Sequence, residues 1–186
     1  CVDFGGNAIC GGEGSDVSIN GSIGGIVFGA GKGVEGNTTS GRMANGTTVA
    51  IADNCNVQRD VYGGGNFGYA QTSTNIFVGG GTVQGGVFGG SNKNNGPVIS
   101  ILMKDGTIEG GVYGGSNDTG AISNNVTMQI NGGQVGTPSA PANIHGGGYG
   151  KDTKVDGNVT LTLGSNTTDP GVTVYGDVYG GSALGT

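Results

Sequence analysis

The sequence has few charged side chains and no long apolar run, and each shortage excludes a class of protein. Only 11% of its 186 residues are charged, and the formal net charge is −6. Because the basic residues form no stripe or cluster, the sequence argues against a nucleic-acid partner. No apolar run approaches the roughly 18 residues that a membrane helix requires, so no membrane-spanning segment is predicted.

Proline and cysteine are also scarce, whereas glycine is abundant. The chain contains 4 prolines, 3 cysteines and 46 glycines. Collagen is excluded because the glycines follow no Gly-X-Y period. Disorder is disfavoured because Val and Ile recur at regular positions and can be buried together. Three cysteines, Cys1, Cys10 and Cys55, leave at least one unpaired within the chain, and the sequence does not fix their pairing.

A five-residue cassette returns throughout the chain: an aliphatic residue, an aromatic residue, two glycines and a small residue. Val112-Tyr113-Gly114-Gly115-Ser116 is a typical copy, and Asp3-Phe4-Gly5-Gly6-Asn7 is a worn one. The aromatic position falls at 4, 28, 62, 88, 113, 145 and 179, at intervals of 24 to 34 residues, with histidine in place of the aromatic at 145. Self-similarity at such a period indicates a repeat architecture.

Each repeat divides into the same parts. An alternating segment such as Val126/Met128/Ile130 predicts a strand with one buried face. A Gly-rich turn, a single aliphatic residue five positions before the aromatic, and a second small-residue corner then lead into the cassette. Helices are excluded because glycine at this density costs up to about 1 kcal/mol per residue relative to alanine. A β-propeller is excluded as well, because each blade would need about 40 to 45 residues, more than these intervals supply.

We therefore predict an all-β fold, a single parallel β-solenoid (β-helix) that forms one continuous domain over residues 1–186. It should contain about six full coils of 24 to 34 residues, right-handed by the usual chirality of parallel crossovers. At about 4.8 Å per coil the rod would be about 30 Å long. The predicted inward ladders are Val27/Val61/Val87/Val112/Ile144/Val178 and Ile23/Val57/Val83/Ile108/Val174, with Val135 displaced by an insertion.

The last repeats resemble a known class of sequence. Gly157-Asn158-Val159-Thr160-Leu161-Thr162-Leu163 and the segment from Tyr175 to Gly185 are similar to the Gly-rich repeats of very large secreted surface proteins of gut-type bacteria, in which a G-N-V-T-x-x-I … G-x-V-Y-G-G unit recurs. The resemblance implies an extracellular β-solenoid, a segment or subunit of a longer fibre or adhesin. It offers no catalytic residues, and the first repeat and the one with His145 depart most from it.

The cassette aromatics are the main candidate site. In a stacked solenoid they would form an aromatic ladder, either packed over the flanking glycines or exposed as a stripe on which sugar rings stack. We favour packing, because glycine in a strand often marks the close approach of other groups. The ladder residues after Phe4 are Phe28, Tyr62, Phe88, Tyr113, His145 and Tyr179.

No catalytic residues, cofactor or metal site are predicted, and an enzyme is not expected. Asp60 and Asp177 hold equivalent positions but lie four coils apart. At about 4.8 Å per coil they are too far apart for glycoside chemistry, which needs about 5 to 9.5 Å between carboxylates. A single histidine in the ladder offers no catalytic triad. The Gly-Gly-x-Gly-x-Asp match at 147–152 occurs once, without the tandem copies of a calcium repeat.

The longer repeats carry polar insertions that we expect to be surface loops. They lie at 33–46, 137–143 and 165–171, and the latter two are predicted to fall in adjacent coils. Among the Asn-x-Thr/Ser triplets, Asn37, Asn45 and Asn166 are the candidate glycosylation sites because they lie in these loops.

The leading functional hypothesis is a structural protein outside the cell or on its surface. The chain begins and ends at nearly the same phase of the repeat, and neither end carries a charged or proline-rich cap. We therefore expect Val178 and Tyr179 of one copy to meet Val2 and Phe4 of the next in a head-to-tail filament, or covalent neighbouring repeats to continue the rod. The alternative is a carbohydrate-binding adhesin that uses the aromatic ladder or the 137–143 and 165–171 loops.

Overall fold

The computed structural model describes residues 8–9, 13–37, 39–165 and 171–185. Over these ranges the chain is all-β and contains no helix. It accordingly has no helix there that is long and apolar enough to cross a membrane. The strands pair in parallel and in register, so that like residues stand next to like.

Three sheets contain most of the strands, and we name them by their contents. The cassette sheet consists of β1 (Ala8–Ile9), β4 (Val27–Phe28), β7 (Val61–Tyr62), β10 (Val87–Phe88), β13 (Val112–Tyr113), β17 (Ile144–His145) and β21 (Val178–Tyr179). The long-strand sheet consists of β2 (Ser15–Ile19), β5 (Thr47–Ile51), β8 (Ser73–Val78), β11 (Val98–Met103), β15 (Val126–Ile130) and β19 (Val159–Leu163). The middle sheet consists of β3 (Ser22–Ile23), β6 (Asn56–Val57), β9 (Thr82–Val83), β12 (Thr107–Ile108), β16 (Gly133–Val135) and β20 (Val172–Val174).

The chain visits the three sheets in the same order each time: long strand, middle strand, cassette strand. We call each such set of three strands a layer, and the set of β19, β20 and β21 the last layer. Neighbours in every sheet come from successive layers, an arrangement consistent with a β-solenoid. A fourth sheet pairs β14 (Thr119–Ile122) with β18 (Asp152–Val155).

The core lies between the three sheets and follows from the alternation of the long strands. In β11, Ile99, Ile101 and Met103 are buried while the residues between them point away. Because successive side chains of a strand point to opposite faces, one face of each long strand is apolar. Each fully buried aliphatic side chain contributes about 1.5–3 kcal/mol.

The predicted inward ladders are confirmed in every layer before the last. Their residues from Ile23 to Ile144 are at most 2% exposed, and Val135 holds its expected place between Ile108 and Val174. In the last layer Val174 is only partly buried and Val178 is 42% exposed. These two residues have the same neighbours on one side as the rest of the ladder, but no described strand on the other.

Two expectations differ from the structure. The residue paired with Phe28 is Ile9 of β1 (Ala8–Ile9), and not Phe4. Phe4 and Val2 themselves lie outside the described residues. The 33–46 insertion is not purely a polar loop either, since Met43 is fully buried and bridges to Ala70.

Candidate functional site

The cassette aromatics form one continuous stack of rings. Consecutive ring centroids lie 4.7–5.4 Å apart, with planes within 14° of parallel. In order along the stack, the rings are those of Phe28, Tyr62, Phe88, Tyr113, His145 and Tyr179. Equivalent residues of paired parallel strands stand one strand spacing apart, about 4.8 Å, which brings the rings into contact. The structure thus assembles the predicted aromatic ladder from Phe28 to Tyr179.

Most of the aromatic ladder is buried. The rings from Phe28 to His145 are 2–8% exposed, whereas Tyr179 in the last layer is 44% exposed. From Tyr62 to His145, each ring has its faces covered by the rings before and after it, so those faces are not available to a ligand. An open ring face remains at Tyr179.

The hydroxyl of Tyr62 is held by two side chains. It donates to Asp60 Oδ2 at 3.3 Å and accepts from Asn117 Nδ2 at 2.9 Å. The other carboxylate oxygen of Asp60 accepts from the Gly86 N–H at 2.8 Å. Burial, and after it the negative charge of Asp60, raises the pKa of Tyr62. The phenol is therefore neutral and links Asp60 to Asn117.

A second ladder, of asparagine amides, runs beside the aromatic one. Asn117 Nδ2 donates to Asn92 Oδ1 at 3.0 Å, and Asn92 Nδ2 donates to Asn66 Oδ1 at 2.7 Å. The sequence interpretation missed this ladder. The signal was present, because each of these asparagines directly follows a cassette, as in Gly63-Gly64-Gly65-Asn66.

Tyr149 takes the place of the asparagine in the next layer. Its N–H donates to the Ser116 carbonyl, as the Asn117 N–H donates to that of Ser91. The Tyr149 ring is 44% exposed and packs edge-on against Tyr113, with centroids 5.3 Å apart and 77° between the planes. Burial, followed by the neighbouring Tyr149, raises the pKa of Tyr113.

Three shallow grooves meet at Tyr149. The first groove contains Asp60, Phe88, Tyr113 and Asn117; the second contains Lys93, Asn117, Asp118 and Lys151; the third contains His145, Tyr179 and Leu184. An exposed aromatic ring is thus flanked by carboxylates, an amide and ammonium groups. Such an arrangement can stack against a flat apolar face and hydrogen-bond the hydroxyl groups around it. The sequence interpretation did not single out Tyr149.

His145 is enclosed between two tyrosine rings. It is 7% exposed, and its Nδ1 atom has no hydrogen-bond partner among the described residues. Burial lowers the pKa of His145. The imidazole is therefore neutral at pH 7 and acts as a flat ring in the aromatic ladder.

Asp60 and Asp177 occupy the same position of their layers, with three cassette strands between them in the sheet. Each carboxylate binds the tyrosine two residues further on, and Tyr179 donates to Asp177 Oδ2 at 3.0 Å. That hydrogen bond raises the pKa of Tyr179. The two carboxylates therefore fix ladder hydroxyls at separate places and do not form a pair.

The metal-like motif at 147–152 runs into a strand. β18 begins at Asp152 and pairs with β14 in a sheet that the sequence interpretation did not anticipate. Asp152 and Asp156 form ion pairs with Lys151 and Lys154. Among the described residues, no group of three or more His, Cys, Asp and Glu is placed to hold a metal ion.

The candidate glycosylation sites differ in their surroundings. Asn37 is exposed, and its side-chain oxygen accepts from the N–H groups of Thr39 and Ser40. Asn45 is exposed too, but the hydroxyl of Thr47, the third residue of its triplet, is buried and donates to the Gly63 carbonyl at 2.6 Å. Asn166 lies outside the described residues.

The structure describes the 137–143 loop in full and only the two ends of the 165–171 loop. Thr137 and Ala140 exchange backbone hydrogen bonds, which closes the 137–143 loop into a tight turn with exposed residues at its tip. Residues 166–170 of the 165–171 loop lie outside the described residues.

Comparison of the chain with protein-family models, with curated proteins and with solved structures finds no match.

Proposed function

We propose that this chain is a structural extracellular protein, a segment or subunit of a β-solenoid filament or surface stalk. In this proposal it winds into about six right-handed coils, the handedness that parallel crossovers usually take. The observation that carries the proposal is the in-register stacking of like on like: aliphatic over aliphatic, ring over ring and amide over amide.

The last layer exposes apolar residues at positions that earlier layers bury. Val178 is 42% exposed, whereas Val112 in the same ladder is 0% exposed. Leu163 at the end of β19 and Tyr179 in β21 are exposed as well. The last layer thus carries the residue types of an internal layer, with its outer side uncovered in the described part of the chain.

A stack of this kind suits a mechanical role. The contacts run from each layer to its neighbours, so stability accumulates layer by layer and grows with the length of the stack. Several buried hydroxyl groups, those of Tyr62, Thr74 and Thr47 among them, donate internal hydrogen bonds. In this proposal, the stacked layers make the molecule rigid along the stacking axis.

Electron microscopy of a tandem fusion tests the proposal. Two copies joined end to end should form one continuous rod of about twice the length of a single copy, because successive layers are expected to continue the same sheets. Two separate globules joined by a linker would contradict a stalk or filament role. Antibody labelling of intact cells of the source organism should detect the chain without permeabilisation.

Carbohydrate binding is the second candidate, and the exposed ring of Tyr149 supports it. Aromatic rings flanked by a few polar groups are typical of ligand sites, and Asp60, Asn117 and Asp118 lie in the grooves beside Tyr149. The aromatic ladder is a weaker candidate for sugar binding, because its rings are buried from Phe28 to His145.

A glycan array with two matched variants tests this candidate. Tyr149→Ala should abolish binding, whereas Tyr175→Ala should not, because Tyr175 is similarly exposed but does not line the grooves. Absence of binding by the folded wild-type chain to every glycan would reject carbohydrate recognition. Equal loss in both variants would show that the grooves at Tyr149 are not the site.

A further inference from the structure

The aromatic ladder contains three tyrosines, and one of their hydroxyl groups differs from the other two. Two hydroxyls donate to an aspartate that lies two residues earlier in the chain, Tyr62 to Asp60 and Tyr179 to Asp177. The residue two positions before Tyr113 is Gly111, which has no side-chain acceptor. The Tyr113 hydroxyl accordingly makes no hydrogen bond to any described residue.

The backbone at this corner explains why no acceptor stands beside Tyr113. Gly111 has a φ of 95°, in the region that favours glycine. A Cβ atom there would lie 2.8 Å from the Asn143 carbonyl oxygen and 3.2 Å from the Tyr113 hydroxyl. The hydroxyl thus lies over a residue that cannot carry an acceptor for it, so an acceptor has to be supplied by solvent or by a bound molecule.

The Tyr113 hydroxyl reaches the surface although its ring does not. The whole residue is only 8% exposed. Among the described residues, the one enclosed side-chain polar atom without a partner is His145 Nδ1 and not this hydroxyl. Tyr113 lines the first groove. Burial, followed by Tyr149 and Asp60, raises the pKa of Tyr113, so the phenol keeps its proton and can donate to a ligand at neutral pH.

The first groove also presents free acceptors. Asn117 uses its Nδ2 atom for its hydrogen bonds to Tyr62 and Asn92, and its Oδ1 atom has no partner among the described residues. Each carboxylate oxygen of Asp60 accepts one hydrogen bond, whereas an ionised carboxylate has about four acceptor sites. The groove therefore combines one free donor with free acceptors on two residues.

Charge in the first groove selects against an acidic ligand. Asp60 is the one charged residue among the described residues that line it. An acidic ligand would be repelled by this carboxylate. Lys93 and Lys151 line the second groove instead, where each forms an ion pair with a neighbouring aspartate. A molecule with several hydroxyl groups suits the first groove, because each hydroxyl both donates and accepts.

The length of the first groove suits more than one sugar ring. It runs across the layers, from Asp60 before β7 to Tyr149 after β17. Three layer spacings of about 4.8 Å make this about 14 Å. Between the two ends it is lined by Gly85, Gly86 and Gly110, which have no side chains to obstruct a ligand. The exposed ring of Tyr149 at one end offers an apolar face to a sugar.

We infer that the first groove binds a neutral oligosaccharide, with the Tyr113 hydroxyl as the donor that recognises it and Tyr149 as the ring on which one sugar stacks. The inference rests on the carbohydrate-binding candidate given above, and narrows it to one groove and to uncharged glycans. Hydroxyl groups of the ligand accept from Tyr113 and donate to Asn117 Oδ1 and to Asp60.

A glycan array that holds neutral and uronate-containing oligosaccharides of matched length tests the inference on the full chain. The wild type should bind neutral glycans and leave the uronates unbound. Tyr113→Phe keeps the ring but removes the hydroxyl, so it should keep the thermal midpoint and bind the same glycans about tenfold more weakly. Tyr175→Phe is the matched control and should bind as the wild type does, because Tyr175 is exposed but lines none of the three grooves.

Two results would overturn the inference: preferential binding of uronates, and binding by Tyr113→Phe equal to that of the wild type. The second result, together with loss of binding in Tyr149→Ala, would retain carbohydrate recognition at Tyr149 and reject the role of Tyr113. Absence of binding to every glycan would instead reject the carbohydrate-binding candidate itself, and the inference with it.

Discussion

The imidazole of His145 lies face to face with the phenol ring of Tyr113, with centroids 5.4 Å apart and 4° between the planes. Tyr179 covers the opposite face at 4.7 Å. A titratable ring therefore occupies a place that phenylalanine or tyrosine fills in the other layers. A charge on this ring would be poorly solvated, which gives the aromatic ladder one position that responds to pH.

We expect the free energy of unfolding to fall as the pH drops below about 6.5. The folded pKa of His145 is lowered from its ordinary value of 6.5 by burial. In this range the unfolded chain therefore binds a proton at His145 that the folded chain does not bind, and the free energy of unfolding falls. His145→Phe should flatten the difference between pH 7 and pH 5, by about 1.4 kcal/mol for each unit between the two pKa values. Urea unfolding at both pH values measures it, and an unchanged slope in His145→Phe would contradict it.

We expect Tyr62 to lower the free energy of unfolding as the pH rises, whereas His145 lowers it as the pH drops. Its folded pKa is raised above the ordinary value of 10.0 by burial and by Asp60. Above pH 10 the unfolded phenol ionises while the folded one keeps its proton, so the free energy of unfolding falls by about 1.4 kcal/mol per pH unit for this group. Tyr62→Phe should remove that part of the decline. Tyr69→Phe is the control, because Tyr69 lies outside the aromatic ladder, and an equal effect of both substitutions would refute the assignment.

Truncation to alanine should lower the free energy of unfolding by different amounts at two valines of one ladder. Val112→Ala removes buried methyl groups from a fully packed position and should lower the free energy of unfolding by about 2 kcal/mol. Val178→Ala removes the same atoms from a residue that is 42% exposed and should cost less than about 1 kcal/mol. Chemical denaturation of dilute chains measures both values. Equal losses would mean that the last layer is covered in solution.

A glycine of this chain should tolerate a methyl group only where no neighbouring layer lies against it. Gly114→Ala places a Cβ against the Gly146 carbonyl oxygen and the Val126 side chain. Because the clash is with backbone that cannot move without breaking the sheet, we expect loss of cooperative folding or a loss of at least about 3 kcal/mol. Gly21→Ala, which meets nothing within 4 Å, should be within about 0.5 kcal/mol of the wild type. Thermal melts followed by circular dichroism distinguish the two outcomes.

The three main sheets were predictable from the sequence because two local patterns fix them. Alternation in segments such as Val126–Ile130 sets the buried face, and the five-residue distance from Ile108 to Tyr113, which recurs in every repeat except the one with Val135, sets the corner between two strands. Parallel in-register pairing then places each cassette on the next, so the aromatic ladder follows without knowledge of any distant contact.

The features that were missed depend on contacts that local patterns do not specify. Ile9 was overlooked because the cassette was recognised by its aromatic residue, whereas pairing requires only a strand in the right register. The pairing of β14 with β18 joins segments whose sequences share no motif, Thr119–Ile122 and Asp152–Val155. Tyr149 directly follows a cassette, and its sequence position does not specify that its ring packs edge-on against Tyr113.

The register between layers has a consequence for how such a chain can change in evolution. Ser73 and Val98 are partners in β8 and β11, so deletion of 73–97 would join Thr72 to Val98 and leave the remaining strands able to pair as before. Duplication of the same stretch would insert a strand into each sheet. Unequal recombination can therefore lengthen or shorten the molecule in whole steps of about 4.8 Å. The number of layers can therefore change while the contacts between neighbouring layers stay of the same kind.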